Sequence, residues 1–423
     1  MARIWSSGFE LNSTDTNLDI ESTSAFGLVI QSSVVRSGTY AMQVVSLVAF
    51  DGQSMHYTYL ASEATSKRYF RLYLRVATLP SAENRVVVFN DSSSSLASPS
   101  VYLTLDETGD LRLYDEDGQI GSESSALSLD TWYRIEILVD TTTAAGSHEI
   151  RARIDGSEFA GSNTRDIIST NQPTTFAVGG NLAGENQTQG NWYIDDLAIN
   201  DDTGSFQTSY PGDGAIIHLR PSATGDNSDW TGDNTDIDEV TPDDTTTKLS
   251  SNTLDQLEDV NLDASGLTTE TINVVAVGAR FNGVGASANA SFALRVKATA
   301  SGTVEESSAI TPANTTWVTN AVASPRNYPL TLYDLPGAST TAWTPTELDT
   351  AQIGIHLTTT STNAVQVSTL WMLVDYTLAS DLSINKSESI TLTESTNPNE
   401  VHDRSFDSTD PDKFGWVTGV KLY

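Results

Sequence analysis

The chain has 423 residues, enough for two or three domains that each bury a core, and 38% of them are hydrophobic. Its formal net charge of −33, from 55 acidic and 22 basic residues, excludes phosphate-driven binding to nucleic acid and opposes binding to anionic membranes. The chain has no cysteine, which excludes disulfides and thiol catalysis, and its five histidines are scattered without metal-ligand spacing.

The first residues, MARIWSSGFELNS, lack the apolar segment of a secretory signal, so we expect synthesis in the cytoplasm without a signal peptide. No apolar run approaches the ~20 residues that span a bilayer, so we expect no membrane insertion. The acidic residues are dispersed, and only six of the bases are lysine. Such a surface resembles those of halophilic proteins, and an ordinary acidic extracellular-type surface is the other interpretation.

Residues 1–205 carry short alternating apolar runs, separated by turn-forming clusters of Gly, Asn, Asp and Ser. This spacing predicts an all-β sandwich or barrel. One hairpin is particularly clear, because apolar residues alternate on both sides of a turn at Thr108 and Gly109. They are Val101, Leu103 and Leu105 before the turn, and Leu111 and Leu113 after it.

The chain is predicted to divide after this region. Residues 206–213 contain Gly and Pro without an apolar period, which indicates a linker. Residues 214–379 hold a second series of alternating runs, which predicts a second β-sandwich domain. Within it, residues 222–251 are acidic and predict a loop or arm, and Thr253–Asp263 is the best candidate for a short helix.

Residues 380–423 have too few apolar residues to build a core alone. We therefore expect an extended C-terminal tail that packs on a neighbouring subunit. The apolar side chains that would make this assembly contact are Phe406, Phe414, Trp416 and Tyr423.

Several stretches of the first region resemble concanavalin A-like, laminin-G-type jelly rolls of the kind found in structural proteins of tailed viruses. They are IWSSGFELN near the start, RLYLRV at Arg71–Val76, the long segment from TLDETGDLRLY to WYRIEILVD, and NWYIDDLAINDDTG. The segments INVVAVGARFNG and PLTLYDLPGAS resemble a companion β-domain of the same virion proteins. The resemblance implies a two-sheet jelly roll with a concave face, displayed on a virus particle.

Two carboxylates lie in the middle of the strand GNWYIDDLAIN, although charge opposes burial within a strand. Asp195 and Asp196, joined by Asp201 and Asp202, are candidate ligands for Ca²⁺ or Mg²⁺, because hard cations prefer oxygen ligands. The other interpretation is structural: one carboxylate binds backbone N–H groups at a bulge, and the other faces water.

Aromatic side chains can stack on sugar rings, and Trp5, Trp132, Trp192 and Tyr102 are the candidates for carbohydrate binding. Aromatic residues in strands more often face the core. No cofactor is required by any motif, and no G-x-S-x-G, H-E-x-x-H or P-loop occurs. The stretches DIDEVT and YIDDLA lack the carboxylate spacing of jelly-roll glucanases, so we expect that the protein is not an enzyme.

The sequence therefore favours a non-enzymatic virion structural protein, a capsid decoration, turret or tail-fibre component on the virion surface. We expect a homo-oligomer, a trimer or pentamer, that contacts other virion proteins and host-surface glycans. A soluble carbohydrate-binding lectin is the alternative hypothesis, and a glycan-degrading glycoside hydrolase is a further one.

Overall fold

The fold is almost entirely β-structure, so the predicted all-β class is confirmed. The computed structural model describes residues 3–13, 21–22, 27–46, 53–58, 67–90, 99–167, 175–180, 189–203, 206–286, 289–312, 315–319, 331–333 and 342–378. The predicted tail, 380–423, and its four candidate contact residues lie outside this set. No helix in the described ranges is long and apolar enough to cross a membrane.

The strands of the first part of the chain are numbered in chain order. They are β1 (Arg3–Ser7), β2 (Glu21–Ser22), β3 (Leu28–Gln31), β4 (Ala41–Ser46), β5 (Gln53–Thr58), β6 (Lys67–Thr78), β7 (Asn84–Asn90), β8 (Val101–Leu105), β9 (Leu111–Asp115), β10 (Gly118–Ile120), β11 (Trp132–Asp140), β12 (His148–Ile154), β13 (Ser157–Arg165), β14 (Thr175–Gly180) and β15 (Gly190–Asn200).

The second part continues the numbering. Its strands are β16 (Ala215–Leu219), β17 (Pro221–Ser228), β18 (Leu249–Ser251), β19 (Leu257–Leu262), β20 (Thr271–Gly283), β21 (Ser291–Lys297), β22 (Val304–Glu306), β23 (Val318–Thr319), β24 (Thr331–Tyr333), β25 (Gln352–Thr359) and β26 (Val365–Thr377). A 3₁₀ turn covers Asn234–Asp236, and the short helix α1 covers Pro345–Thr350.

Strands β1–β15 form two antiparallel sheets. Sheet I has the order β13-β12-β11-β6-β15-β4-β3, with β1 paired to β15, and sheet II has the order β10-β9-β8-β7-β14-β5-β2. Their facing side chains share one apolar core, in which the Phe70 ring of sheet I lies 5.7 Å from Phe89 and 5.1 Å from Phe176 of sheet II. Period-two alternation on each strand supplies this core.

The predicted hairpin is present as β8 and β9, with Val101 opposite Asp115 and Leu105 opposite Leu111. Asp106 closes its turn, because the Oδ1 atom accepts hydrogen bonds from the backbone N–H groups of Thr108 and Asp110, both at 2.9 Å. Gly109 has a φ of 93°, a conformation that favours glycine.

Strands β16–β26 form the other two sheets. Sheet III has the order β16-β26-β20-β23, with β18 on β26 and β24 on β20; sheet IV has the order β17-β19-β25-β21-β22. A second apolar core lies between them, and the rings of Phe281 and Phe292 meet there edge to face at 5.0 Å.

Two segments of this second part differ from the sequence-based expectations. The helix expected over Thr253–Asp263 is wrong, because Leu257–Leu262 is strand β19, whose Val260 and Leu262 enter the core. The acidic segment 222–251 is not wholly a loop, since most of β17 lies within it. In β19 the buried Asp259 is compensated by Lys297, whose Nζ lies 3.0 Å from its Oδ2.

The outer face of sheet III joins the core of the first sandwich. Ile216, Ala276, Trp371 and Leu373 belong to the same apolar cluster as the residues between sheets I and II. Gly278 lies opposite Trp371 across the strands, and a Cβ atom there would clash with the indole ring. The two sandwiches therefore share continuous apolar packing.

A buried ion-pair network crosses the same contact. The Asp375 carboxylate of β26 lies 2.6 Å from Arg3 Nη1 and 3.0 Å from Arg71 Nη2, and all three side chains are fully buried. Asn273 Nδ2 donates to its other oxygen at 3.0 Å. Burial opposes ionisation of Asp375, but Arg71 and Arg3 hold its pKa below the ordinary value.

Replacing Asp375 with Ala should destabilise the protein by about 3–5 kcal/mol, because two buried guanidinium groups would lose their counter-charge. The free energy of unfolding from urea titration measures this loss. Glu107→Gln, at an exposed turn position, is the control and should change stability by less than about 0.5 kcal/mol. Equal stability of D375A and the unmodified protein would contradict the role assigned to this carboxylate.

Candidate functional site

The outer face of sheet I is rich in polar and aromatic side chains. Strand β6 shows the alternation: Phe70, Leu72 and Leu74 point into the core, so the intervening Arg71, Tyr73 and Arg75 lie on the opposite face.

Residues 210–214, between the two sandwiches, cover one half of this face. The Tyr210 ring lies 5.0 Å from the ring of Tyr69, and the Arg153 guanidinium lies 3.7 Å from the Tyr210 ring. The backbone N–H of Gly212 donates to Glu136 Oε1 at 2.8 Å. Asp213 accepts a hydrogen bond from the Tyr73 hydroxyl. This half is therefore occupied by the chain itself.

The other half carries a row of side chains, the sheet I row, that crosses five adjacent strands. Strand pairing places Trp132 opposite Arg75, Arg75 opposite Tyr193, Tyr193 opposite Gln43, and Gln43 opposite Val29. With strands roughly 4.8 Å apart, the row is about 19 Å long. Trp132 and Gln43 are partly exposed, and Val29 is 49% exposed.

Hydrogen bonds and a salt bridge position the polar members of the row. Arg75 Nη2 lies 2.9 Å from the carboxylate of Asp130, a residue at the exposed turn before β11. The Arg75 guanidinium also lies 5.5 Å from the ring of Tyr193. Gln43 Nε2 donates to Asn191 Oδ1 at 3.0 Å and to the Tyr193 hydroxyl at 3.3 Å. The row combines aromatic rings with planar guanidinium and amide groups.

The four aromatic candidates from the sequence have different positions. Trp5 and Trp192 are fully buried in the first core, so neither can stack on a ligand, and as binding residues they are wrong. Trp192 instead donates from Nε1 to the carbonyl oxygen of Gly179 at 3.0 Å, which links the two sheets. Trp132 belongs to the sheet I row, and Tyr102 lies partly exposed on sheet II.

Sequence reasoning missed Arg75, Tyr193 and Gln43. They lie far from Trp132 in the chain and come together only through the pairing of β11, β6, β15 and β4. Their alternation with core residues on each strand was the available signal, and it gives the face of each residue but not its neighbour.

The paired carboxylates of β15 lie at a β-bulge. The register of β15 against β6 shifts between Asp195 and Ala198, and Asp196 has a φ of 52°, rare for a residue other than glycine. Asp195 Oδ2 accepts from the backbone N–H of Arg36 at 2.9 Å, and Oδ1 accepts from the N–H of Asp196 at 2.8 Å. Asp195 therefore holds backbone at this bulge.

Asp196 does not face water. It is fully buried and accepts from Arg36 Nη1 at 2.7 Å, from the Ser37 hydroxyl at 2.6 Å and from the backbone N–H of Ile216 at 2.7 Å. Since Ile216 lies in β16, the first strand of the second sandwich, this carboxylate helps to join the two halves of the chain.

Asp201 and Asp202 lie at the end of the same strand. Asp201 Oδ1 accepts from the Thr203 backbone N–H at 2.9 Å, and Asp202 is exposed. Within the described residues, no three His, Asp or Glu side chains form a group that could hold a metal ion. A Ca²⁺ or Mg²⁺ site at Asp195, Asp196, Asp201 and Asp202 remains a prediction.

Burial is the main cause of the raised pKa values around the bulge. It raises the pKa of both Asp195 and Asp196 above the ordinary value, and the mutual repulsion of the pair raises that of Asp195 further. Burial also raises the pKa of nearby Glu10 to about 7, against the hydrogen bonds that its carboxylate accepts from the backbone N–H groups of Tyr40 and Thr39.

Comparisons with known proteins give structural likeness only. No protein-family model and no curated protein matches the chain. An endo-β-1,4-glucuronan lyase from the fungus Trichoderma reesei is 13% identical, with a TM-score of 0.35, over 47% of this chain and 95% of that one. The cellulose induced protein Cip1 is 14% identical, with a TM-score of 0.35, over 46% and 95%. A Trypanosoma rangeli sialidase in complex with sialic acid is 11% identical, with a TM-score of 0.30, over 42% and 31%.

These structures correct one expectation. They contradict the prediction that the protein is not an enzyme, because a lyase and a sialidase are among them. TM-scores of this size assign no activity to the chain. None of the three is a structural protein of a virus.

The Glu10 pKa gives a pH dependence with a definite sign. Its folded-state pKa of about 7 lies above the ordinary 4.5, so the native state holds this proton more tightly than the unfolded chain. Glu10 therefore lowers stability as the pH rises from about 4.5 to 7. We expect the free energy of unfolding of Glu10→Gln, relative to the unmodified protein, to increase across this window.

Urea unfolding at steps of half a pH unit gives the free energy of unfolding of both proteins. The contributions of the other titrating groups cancel in the difference between the two values. Glu123→Gln, an exposed position, is the control and should give a curve parallel to that of the unmodified protein. If the Glu10→Gln curve is also parallel to that of the unmodified protein, this carboxyl is already ionised at pH 5.

Proposed function

We propose that the protein is a carbohydrate-binding β-sandwich protein that binds a glycan chain along the sheet I row. The observation that carries the proposal is the strand register, which places Trp132, Arg75, Tyr193 and Gln43 side by side on one face of sheet I. Trp132, Arg75 and Gln43 are partly exposed, and Tyr193 is 9% exposed. The two similar structures named as a glucuronan lyase and a sialidase agree with a carbohydrate ligand, but the proposal rests on the row.

The chemistry of the row fits a sugar polymer. A pyranose ring has apolar C–H faces, which stack on aromatic rings, and hydroxyl groups at its rim, which need planar donors and acceptors. Trp132 provides the stacking ring, Arg75 and Gln43 provide the donors, and Tyr193, which is only 9% exposed, supports both donors from beside them. Because the row crosses the strands for about 19 Å, an extended oligosaccharide fits it better than a single sugar.

This proposal corresponds to the lectin alternative from the sequence. A capsid, turret or tail-fibre role on a virion surface, with trimeric or pentameric assembly, remains a prediction from the sequence resemblance. Glycan adhesion would serve that role as well, since many copies on one particle gain avidity. Glycoside hydrolysis remains a prediction too.

The test is binding to a panel of neutral and acidic polysaccharides, measured by affinity electrophoresis. Trp132→Ala should weaken binding at the sheet I row about tenfold or more, because loss of an aromatic stacking contact costs above ~1.4 kcal/mol. Arg75→Ala should have a comparable effect. Trp132→Phe keeps an aromatic ring and should retain most of the affinity.

Tyr133→Phe is the matched control, because Tyr133 is the next residue along β11 and packs against the core on the opposite face. Its binding should equal that of the unmodified protein. Failure to bind any polysaccharide, or full affinity in both Trp132→Ala and Arg75→Ala, would contradict the proposal.

A further inference from the structure

The outer face of sheet II carries a second exposed aromatic group. Tyr102 of β8 lies directly opposite Tyr114 of β9, and the two rings stack with centroids 4.9 Å apart and planes 6° apart. The Arg85 guanidinium of β7 lies 4.3 Å from the Tyr102 ring. All three side chains are partly exposed, so a stack of guanidinium and two phenols reaches the surface.

Hydrogen-bonding groups converge beside this stack. Glu83 Oε1 accepts from the Tyr114 hydroxyl at 3.0 Å and from the Thr104 hydroxyl at 2.7 Å. Arg112 Nη1 lies 3.7 Å from the same oxygen. Gln119 of the edge strand β10 is exposed directly opposite Tyr114. Carboxylate, guanidinium and amide groups therefore surround the rings.

This group has the same chemical composition as the sheet I row: two aromatic rings, arginine and glutamine on adjacent strands. It lies on the other sheet of the same sandwich, and the two outer faces point in opposite directions because the inner faces share one core. We infer that the Tyr102–Tyr114 face of sheet II is a second glycan-binding site, so that one chain binds two separate glycan strands. The ligand class, though not the location, rests on the proposed function.

The separation of the two outer faces decides how many glycan molecules one chain can bind. The two sheets of a sandwich lie about 10 Å apart, with a packed core between them. A short oligosaccharide cannot contact both outer faces, so each face binds its own molecule. A polymer solution would therefore be cross-linked by the protein, without any need for oligomerisation.

The experiment counts binding sites per chain by equilibrium dialysis with two labelled probes, cellohexaose as the neutral one and a β-1,4-linked glucuronic acid hexasaccharide as the acidic one. We expect two molecules of the better probe per chain at saturation. Tyr102→Ala should leave one high-affinity site, Trp132→Ala should leave one, and the double variant should leave none. A count per chain is independent of the oligomeric state.

Folding is controlled separately, because Tyr102 also packs against the buried Val88 and Ala177. Tyr102→Phe keeps the stacked pair and should retain the second site. Arg85→Ala in the Trp132→Ala background leaves both tyrosines in place and should weaken the remaining site about tenfold. Thermal unfolding confirms that each variant is folded.

The outcomes separate the two proposals. One site per chain that Trp132→Ala abolishes and Tyr102→Ala leaves intact overturns the second site and keeps the proposed function. One site that only Tyr102→Ala abolishes overturns the sheet I row. Absence of binding for both probes overturns both.

Discussion

The arrangement of the molecule depends on the ion pairs that the buried carboxylate of Asp375 makes. This carboxylate comes from the last described strand and neutralises Arg3 of the first strand and Arg71 of the central strand of sheet I. Two guanidinium groups that are removed from water are stable only beside a counter-charge. The second sandwich must therefore pack where Asp375 reaches both of them. The apolar cluster around Trp371, which the two sandwiches share, is therefore buried at the position that these ion pairs fix.

This docking also determines which half of the sheet I face the chain itself covers. The chain leaves β15, crosses sheet I through residues 210–214 and satisfies its backbone N–H groups on side chains such as Glu136. That half of the face is used for internal contacts. The row from Trp132 to Val29 lies on the other half. Its polar groups are paired with one another, with Asn191 or with Asp130 at a surface turn, and the proposed glycan would compete with these contacts.

Much of the fold could be predicted from the sequence, because period-two alternation reports directly on half-buried strands. The hairpin of β8 and β9 is an example, since its turn residues and both apolar series are local. Strand β19 was missed because Glu258 and Asp259 look incompatible with burial until Lys297, 38 residues away, is placed beside them. The sheet I row was missed for a related reason: pairing between distant strands decides which side chains are neighbours, and no local pattern records it. Trp5 and Trp192 were predicted as binding residues but are buried, because the presence of an aromatic residue does not indicate whether its side chain faces the core or the solvent.

The crossing of ion pairs between the two halves bears on how such a chain could have arisen. A β-sandwich can be a unit that recombination moves between proteins, but here the first sandwich contributes Arg3 and Arg71 to ion pairs whose carboxylate, Asp375, lies in the second. Recombination at residue 205 would expose the apolar residues that the two halves bury together, among them Ile216, Trp371 and Leu373. The two halves are therefore expected to have been inherited as a pair.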